Sequence, residues 1–275
     1  MPKFAYVLPD PLSYTDWVEF EEDLACVKQA GYGAVELQIA DPAAIDEPAL
    51  RSSLGKAGLP MCAFQTGSSY SSCGNCLCTP DAAIRNRTVK LLKSFVDFAS
   101  RLNAVIVFGS LQGRTTDEPD TTAGRKRIVE AIGEVCRYAT KRGVTVCMEP
   151  VNHLETAYHN TIREVERLVR SLNTPSARMM IDTFHMNIEE KDMTGPIAPV
   201  ADILAHVHLS DTNRDVLGAG HWDTAAFLRD LRSAGYAGYC SVGVYNTRQS
   251  RKECMRLCMK ALKQANLSES GRRRS

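Results

Sequence analysis

The sequence predicts a single closed (β/α)8 barrel, and three observations carry that prediction. The chain has 275 residues, a length that α/β barrels commonly occupy as one domain. Eight strand-like segments alternate with helical ones along it, the rhythm of a parallel sheet. An open doubly wound sheet would commonly carry a glycine-rich dinucleotide fingerprint after its first strand, and "FAYVLPDPLSY" has none.

The elements follow in order. "FAYVLP" is a short β-rich run, and the amphipathic "DWVEFEEDLACVKQAGY" after it is helical. Strands "AVELQI" and "PMCAFQTG" precede a long helix, "IRNRTVKLLKSFVDFASRLN". Next come "AVIVFG", a helix over 123–142, "VTVCMEPV", a helix over 161–172 and "ARMMIDTFH". The strands "AHVHLSD" and "YCSVGVY", separated by the helix "DTAAFLRDLRSAG", complete the set. Helices tend to close on glycine, as in "AGYGAVEL", "KRGVTV" and "SAGYAGYCSV", where glycine relieves the left-handed turn. No linker interrupts the series, so residues 1–266 form one domain and "LSESGRRRS" over 267–275 reads as a disordered basic tail.

Composition excludes several classes. With 44% apolar and 24% charged residues the chain can bury a large core. Lys+Arg of 33 against Asp+Glu of 32 leaves a net charge of +1, scattered except at the terminus, which favours neither nucleic acid nor membrane. The N-terminal "MPKFAYVLPD" lacks a signal-peptide pattern, and a cytoplasmic location is expected. Ten cysteines in a large chain without an export signal read as reduced thiols. Cys26, Cys62, Cys136, Cys147 and Cys240 fall in apolar patterns, and Cys254 and Cys258 share a helical face. "SSCGNCLC", with Cys73, Cys76 and Cys78, could hold zinc or do redox work, but no second pair stands at a recognisable spacing. The plainer reading is small residues in a loop.

Barrel chemistry belongs to the C-terminal strand ends. Strand five runs into Glu149, strand six into Asp182 and then His185, strand seven carries His206 and His208, and the next loop holds Asp211 and Arg214. Alone, Asp182 and His185 would be a capping aspartate and a surface histidine. Carboxylates at the same end of neighbouring strands are harder to explain by caps. Mixed with one imidazole, they suit a divalent ion such as Mn²⁺, Co²⁺ or Mg²⁺ better than a sulfur-ligated structural zinc would.

These stretches resemble the ketose 3-epimerases (tagatose and allulose 3-epimerases with their keto-hexonate relatives), a branch of the xylose isomerase-like TIM barrels. The resemblance lies in "MEPVNHLETAYHNT", "IDTFHMNIEE" and "HVHLSDTNRDVLGAGHWD", with weaker matches in "MCAFQTGSSY" and "VFGSLQGR". It implies that Glu149, Asp182 and His208 bind a metal, with Glu149 also the proton-transferring base. Glu155, His185 and Arg214 would then hydrogen-bond the oxygens of a small sugar or sugar acid. A homo-oligomer is compatible with this reading.

One position departs from the family. Its second glutamate, on strand eight, falls on Gly243, which offers neither a ligand nor a proton. Tyr245 shares the side-chain parity of position 243, but a phenol with a pKa of about 10 is a poor ligand. Replacing Gly243 by glutamate is therefore expected to raise epimerase activity. Arg114 in "LQGRTTDEP" is a candidate clamp for a substrate carboxylate, against the plainer reading of a loop arginine. Trp222 and Phe184 read as packing residues at the barrel mouth, and Glu253 as a surface charge. Besides 3-epimerisation, the substitution at 243 leaves open a single-base aldose-ketose isomerase, a lyase, or a sugar- and metal-binding barrel without turnover that acts as a partner subunit.

Overall fold

Each long helix begins where a short polar side chain can satisfy its free N–H groups. Asp16 accepts from Glu19 N at the start of α1 (Trp17–Ala30), and Asp46 from Ala49 N before α2 (Glu47–Ala57). Asp81, Asp120 and Asp223 do the same for α4 (Ala82–Leu102), α5 (Thr121–Thr140) and α8 (Thr224–Ser233). The start of α6 (Ile162–Leu172) is a capping box of Thr161 and Glu164. Two short helices, α3 (Gly67–Cys73) and α7 (Thr183–Glu189), sit in loops, and α9 is Arg251–Arg272.

The computed structural model describes residues 2–193, 195 and 197–272. Its strands are β1 (Lys3–Leu8), β2 (Ala34–Gln38), β3 (Met61–Gln65), β4 (Val105–Phe108), β5 (Val146–Met148), β6 (Ala177–Asp182), β7 (Leu204–Leu209) and β8 (Tyr239–Val242). They close into a parallel barrel in sequence order. Closure is direct: Ala5 of β1 is in register with Ala34 on one side and Ser241 on the other.

Alternation sorts the strand residues into two layers. One face packs against the helices through Leu8, Leu37, Phe64, Phe108 and Ile181. The other fills the lumen with smaller groups, among them Ala5, Ala34, Ala63 and Cys147. Small lumen side chains leave room for the fully buried Glu36. A register shift between Met179 and Met180 brings Asp182 opposite His208.

The strands predicted from sequence are present, and β5 is shorter than "VTVCMEPV" suggested. Glu149 lies just past its end, its N–H still donating to Phe108 O at 2.9 Å. Of the tail over 267–275, the backbone as far as Arg272 belongs to α9, and residues 273–275 lie outside the described residues. All ten cysteines are free thiols. Cys26 is half-buried, whereas Cys62, Cys136, Cys147, Cys240, Cys254 and Cys258 are buried. Among the described residues no helix is long and apolar enough to cross a membrane.

Candidate active site

The C-terminal strand ends surround a cavity of about 460 Å³. Glu149, Asp182 and His208 meet at its floor, each buried. His208 Nδ1 lies 3.6 Å from Glu149 Oε1 and 3.7 Å from Asp182 Oδ2. One donor atom from each of the three residues falls within 4.8 Å of the others. Two hard oxygens and one imidazole nitrogen at that separation fit a divalent cation.

The orientation of His208 is fixed from behind. Its Nε2 lies 2.8 Å from Glu36 Oε1, and His206 Nε2 lies 2.7 Å from Glu36 Oε2. Donation of both Nε2–H groups to one carboxylate leaves His208 Nδ1 turned to the cavity, the arrangement by which a ligating imidazole is commonly supported. Burial would raise the Glu36 pKa, but the two imidazoles hold it well below the usual carboxylate range. Burial likewise opposes charge on His208, and the Glu36, Asp182 and Glu149 carboxylates overcome it and raise its pKa well above the ordinary value. Sequence reasoning missed Glu36. Its signal was a lone acid inside the apolar run "AVELQI", on the parity that faces the lumen.

Asp182 serves two purposes. Its Oδ1 accepts from Phe184 N at 2.7 Å and caps α7, while Oδ2 faces His208 and Arg214. Burial works against its charge, but His185, His208 and Arg214 hold the carboxyl well below the usual range.

Glu149 owes its room to a glycine. A Cβ at Gly109 would collide with Glu149 Oε2 and Val151 Cγ2, so the β4 end must be bare at this position.

Beside this floor stands a group of donors. His185 Nδ1 accepts from Asn152 N at 3.3 Å and lies 2.7 Å from Asn152 Nδ2. That assignment places the proton on Nε2, 3.3 Å from Arg214 Nη2. Two donors side by side in a cavity call for an oxygen acceptor. Arg214 is clamped, its guanidinium 3.9 Å from the Phe184 ring centroid and 4.9 Å from that of Tyr245, and Nη2 reaches Glu155 Oε1 at 3.4 Å. Phe184 is thus a platform for Arg214 as well as a packing residue. Arg114 lines the same cavity, its Nε donating to Glu155 O at 2.9 Å.

Two sequence candidates lie elsewhere. His206 is in the lumen, bound to Glu36 and 3.2 Å from Ser241 Oγ. Asp211 closes its own loop, accepting from Thr212 N and Gly218 N. Trp222 packs on Phe227, and Glu253 pairs with Arg256 at the surface.

The β8 side differs. A Cβ at Gly243 would lie 2.7 Å from Tyr245 Cε2 and 2.9 Å from its hydroxyl. The tyrosine folds back over the glycine and occupies the start of any side chain there. Its hydroxyl accepts from Gln65 Nε2 at 3.4 Å, the residue is 43% exposed, and a phenol with an ordinary pKa of about 10 is protonated at neutral pH.

Fold and site define the class. Residues 24–265 match the family described as xylose isomerase-like TIM barrel, and the chain belongs to that family. Among its relatives, a ketose 3-epimerase of Arthrobacter globiformis is 33% identical over 77% of this chain and 72% of its own length. An L-ribulose 3-epimerase of Mesorhizobium japonicum is 31% identical over 80% of this chain and 73% of its own. A solved L-ribulose 3-epimerase superposes with a TM-score of 0.84 at 26% identity, covering 100% of this chain and 97% of that one.

Proposed function

We propose that the protein is a metal-dependent sugar isomerase that moves a proton at the carbon beside the carbonyl of a ketose or keto-sugar acid, in the manner of a 3-epimerase. The observation that supports it most is the meeting of Glu149, Asp182 and His208 Nδ1 within 4.8 Å at the cavity floor. These residues would hold one divalent ion, with Mn²⁺, Co²⁺ and Mg²⁺ all suited to the donor set. A bound ion stabilises the charge that develops on the substrate oxygens as the proton leaves. Glu149 is the base, and its carboxylate reaches the cavity because residue 109 is glycine. His185 Nε2–H and Arg214 Nη2, with Glu155 beside them, orient hydroxyl and carbonyl oxygens. Arg114 adds a cation on the cavity wall for an acid substrate. The compartment proposed is the cytoplasm.

The β8 side favours a second reading of the same chemistry. Without a glutamate at 243, proton return falls to a protonated phenol, Tyr245, and turnover is confined to Glu149 when the phenol is not used. The result is a weak epimerase, or a single-base isomerase or lyase. Incubating ketoses and keto-hexonates with the protein and Mn²⁺ in D₂O, and locating the deuterium, tests both. Label at C3 with inverted product supports epimerisation. Label at C2 of an aldose product and at C1 of the recovered ketose supports the single-base isomerase, and sugar binding without any exchange would overturn catalysis by proton transfer.

A further inference from the structure

The second half of "SSCGNCLC" has no part in the site above, yet its geometry is specific. Cys76 and Cys78 lie in the loop between α3 and α4, 4% and 0% exposed, with their sulfurs 3.4 Å apart. The loop is pinned on both sides: Cys76 N donates to Thr88 Oγ1 at 3.0 Å, and Leu77 N to Leu111 O at 2.9 Å. Asp117 supplies a third donor, and one atom from each of the three residues falls within 4.8 Å of the others.

Above the sulfurs runs the backbone of Gly113, at φ 94°. A Cβ there would sit 2.5 Å from both Sγ atoms and 3.2 Å from Asp117 Oδ2. The main chain closes that side of the pair as tightly as glycine permits. The thiols are also unequal: the contact from Cys78 lowers the Cys76 pKa, while Cys76 and burial raise that of Cys78. A thiolate at Cys76 is the form that binds metal.

We propose that Cys76 Sγ, Cys78 Sγ and an Asp117 carboxylate oxygen form a second cation site, selective for a thiophilic divalent ion of the Zn²⁺ and Cd²⁺ class. In tetrahedral zinc, bonds of about 2.3 Å place two sulfurs roughly 3.8 Å apart, so the pair need open by only about 0.4 Å. A disulfide would instead require closure to about 2.0 Å and would leave the carboxylate without a part. Each thiol loses its proton to solvent as its sulfur–metal bond forms, so binding releases protons and strengthens with pH. The place matters because Asp117 Oδ2 also accepts from Tyr70 Oη at 2.7 Å and Arg114 N at 2.8 Å. Both residues line the catalytic cavity. An ion drawing on Asp117 would fix the segment that carries Arg114.

The test uses the full chain, reduced and stripped with chelator, titrated with Cd²⁺ and separately with Co²⁺. The expected result is one sulfur-ligated ion per chain, reported by a sulfur-to-metal charge-transfer band and counted apart from any ion taken by Glu149, Asp182 and His208. Cys76→Ser and Cys78→Ser each abolish the band, Asp117→Asn weakens binding about tenfold or more, and Asp182→Asn leaves it in place. The wild-type Co²⁺ spectrum reports sulfur ligation even if a cysteine variant fails to fold. The proposal is overturned by absence of the band, by its survival in both serine variants, or by a mass loss of two hydrogen atoms between Cys76 and Cys78 without bound ion, which marks oxidation to a disulfide.

Discussion

The ends of β5, β6 and β7 and the end of β8 border the same cavity but are built on different principles. On the first side three polar groups have a hydrogen-bond partner that sets their direction: Glu36 turns His208, the Phe184 N–H at the start of α7 holds Asp182, and Asn152 fixes His185. On the other side Gly243 has no side chain, and an aromatic ring leans over it. The Tyr245 hydroxyl there takes a long hydrogen bond from Gln65, and its ring lies 4.9 Å from the Arg214 guanidinium. The difference teaches that one wall of such a pocket can lack a reactive side chain while the groups opposite stay supported, because the hydrogen bonds that join the walls, Ser210 Oγ to Gly243 O and Tyr245 N to Arg214 O, use the β8-end main chain and ask nothing of a side chain at 243.

The largest effect should come from the supported wall. Glu149→Gln keeps the shape of the side chain and removes the proposed base, so solvent exchange at the substrate carbon should fall about 10²- to 10⁴-fold. An unchanged exchange rate by NMR would move the base to Tyr245. Next is Gly109→Ala, whose methyl would displace the Glu149 carboxylate. Misplacement of about 1 Å can cost roughly 100-fold, so kcat should drop by about that factor while circular dichroism stays native. If kcat holds, the carboxylate has slack that the packing denies.

Glu36→Gln tests the support itself. A glutamine cannot accept from both imidazoles, and the loss of such a partner commonly weakens metal affinity about 10- to 100-fold. Calorimetric titration with Mn²⁺ should show that loss, and equal affinity would reduce Glu36 to a packing role. The smallest effect sharpens the comparison from the β8 side. Sequence alone suggested that Gly243→Glu would raise activity, but the Tyr245 ring stands where that side chain begins. The single variant should gain nothing, whereas Gly243→Glu with Tyr245→Ala should gain about tenfold in epimerisation, less than a well-placed acid provides. A gain in the single variant would show that the ring swings away freely.

The strand order and the gathering of polar residues, Glu149, Asp182, His185 and His208 among them, at one end of the barrel were legible because strand periodicity and the position of each residue at a strand end are local properties, whereas singling out Glu149, Asp182 and His208 as a set came from the family resemblance. Glu36 was not, since nothing in "AVELQI" says which histidines wait across the lumen. The role of Gly109 was hidden as well, because the carboxylate it admits belongs to the next strand. Parity placed Tyr245 on the inner face, but its return over Gly243 depends on the loop, where Arg214 O accepts from both Tyr245 N and Asn246 N. Short α3 and α7 offer too few residues for a helical period to show. The "SSCGNCLC" loop looked like small filler because Asp117 approaches it from a distant part of the chain.

The capped carboxylate of Asp182 has a consequence for how shape and binding are joined. One oxygen belongs to the first turn of α7, and so to the placement of His185, while the other is offered to the cavity. The cap that α7 needs for its own first turn thus holds the second oxygen and His185 in a fixed relation, so a ligand taken at that oxygen would require little conformational entropy to be given up. Shape and binding become separable at one residue: Asp182→Asn, which can still accept from Phe184 N, should leave α7 and His185 in place while changing what the cavity holds.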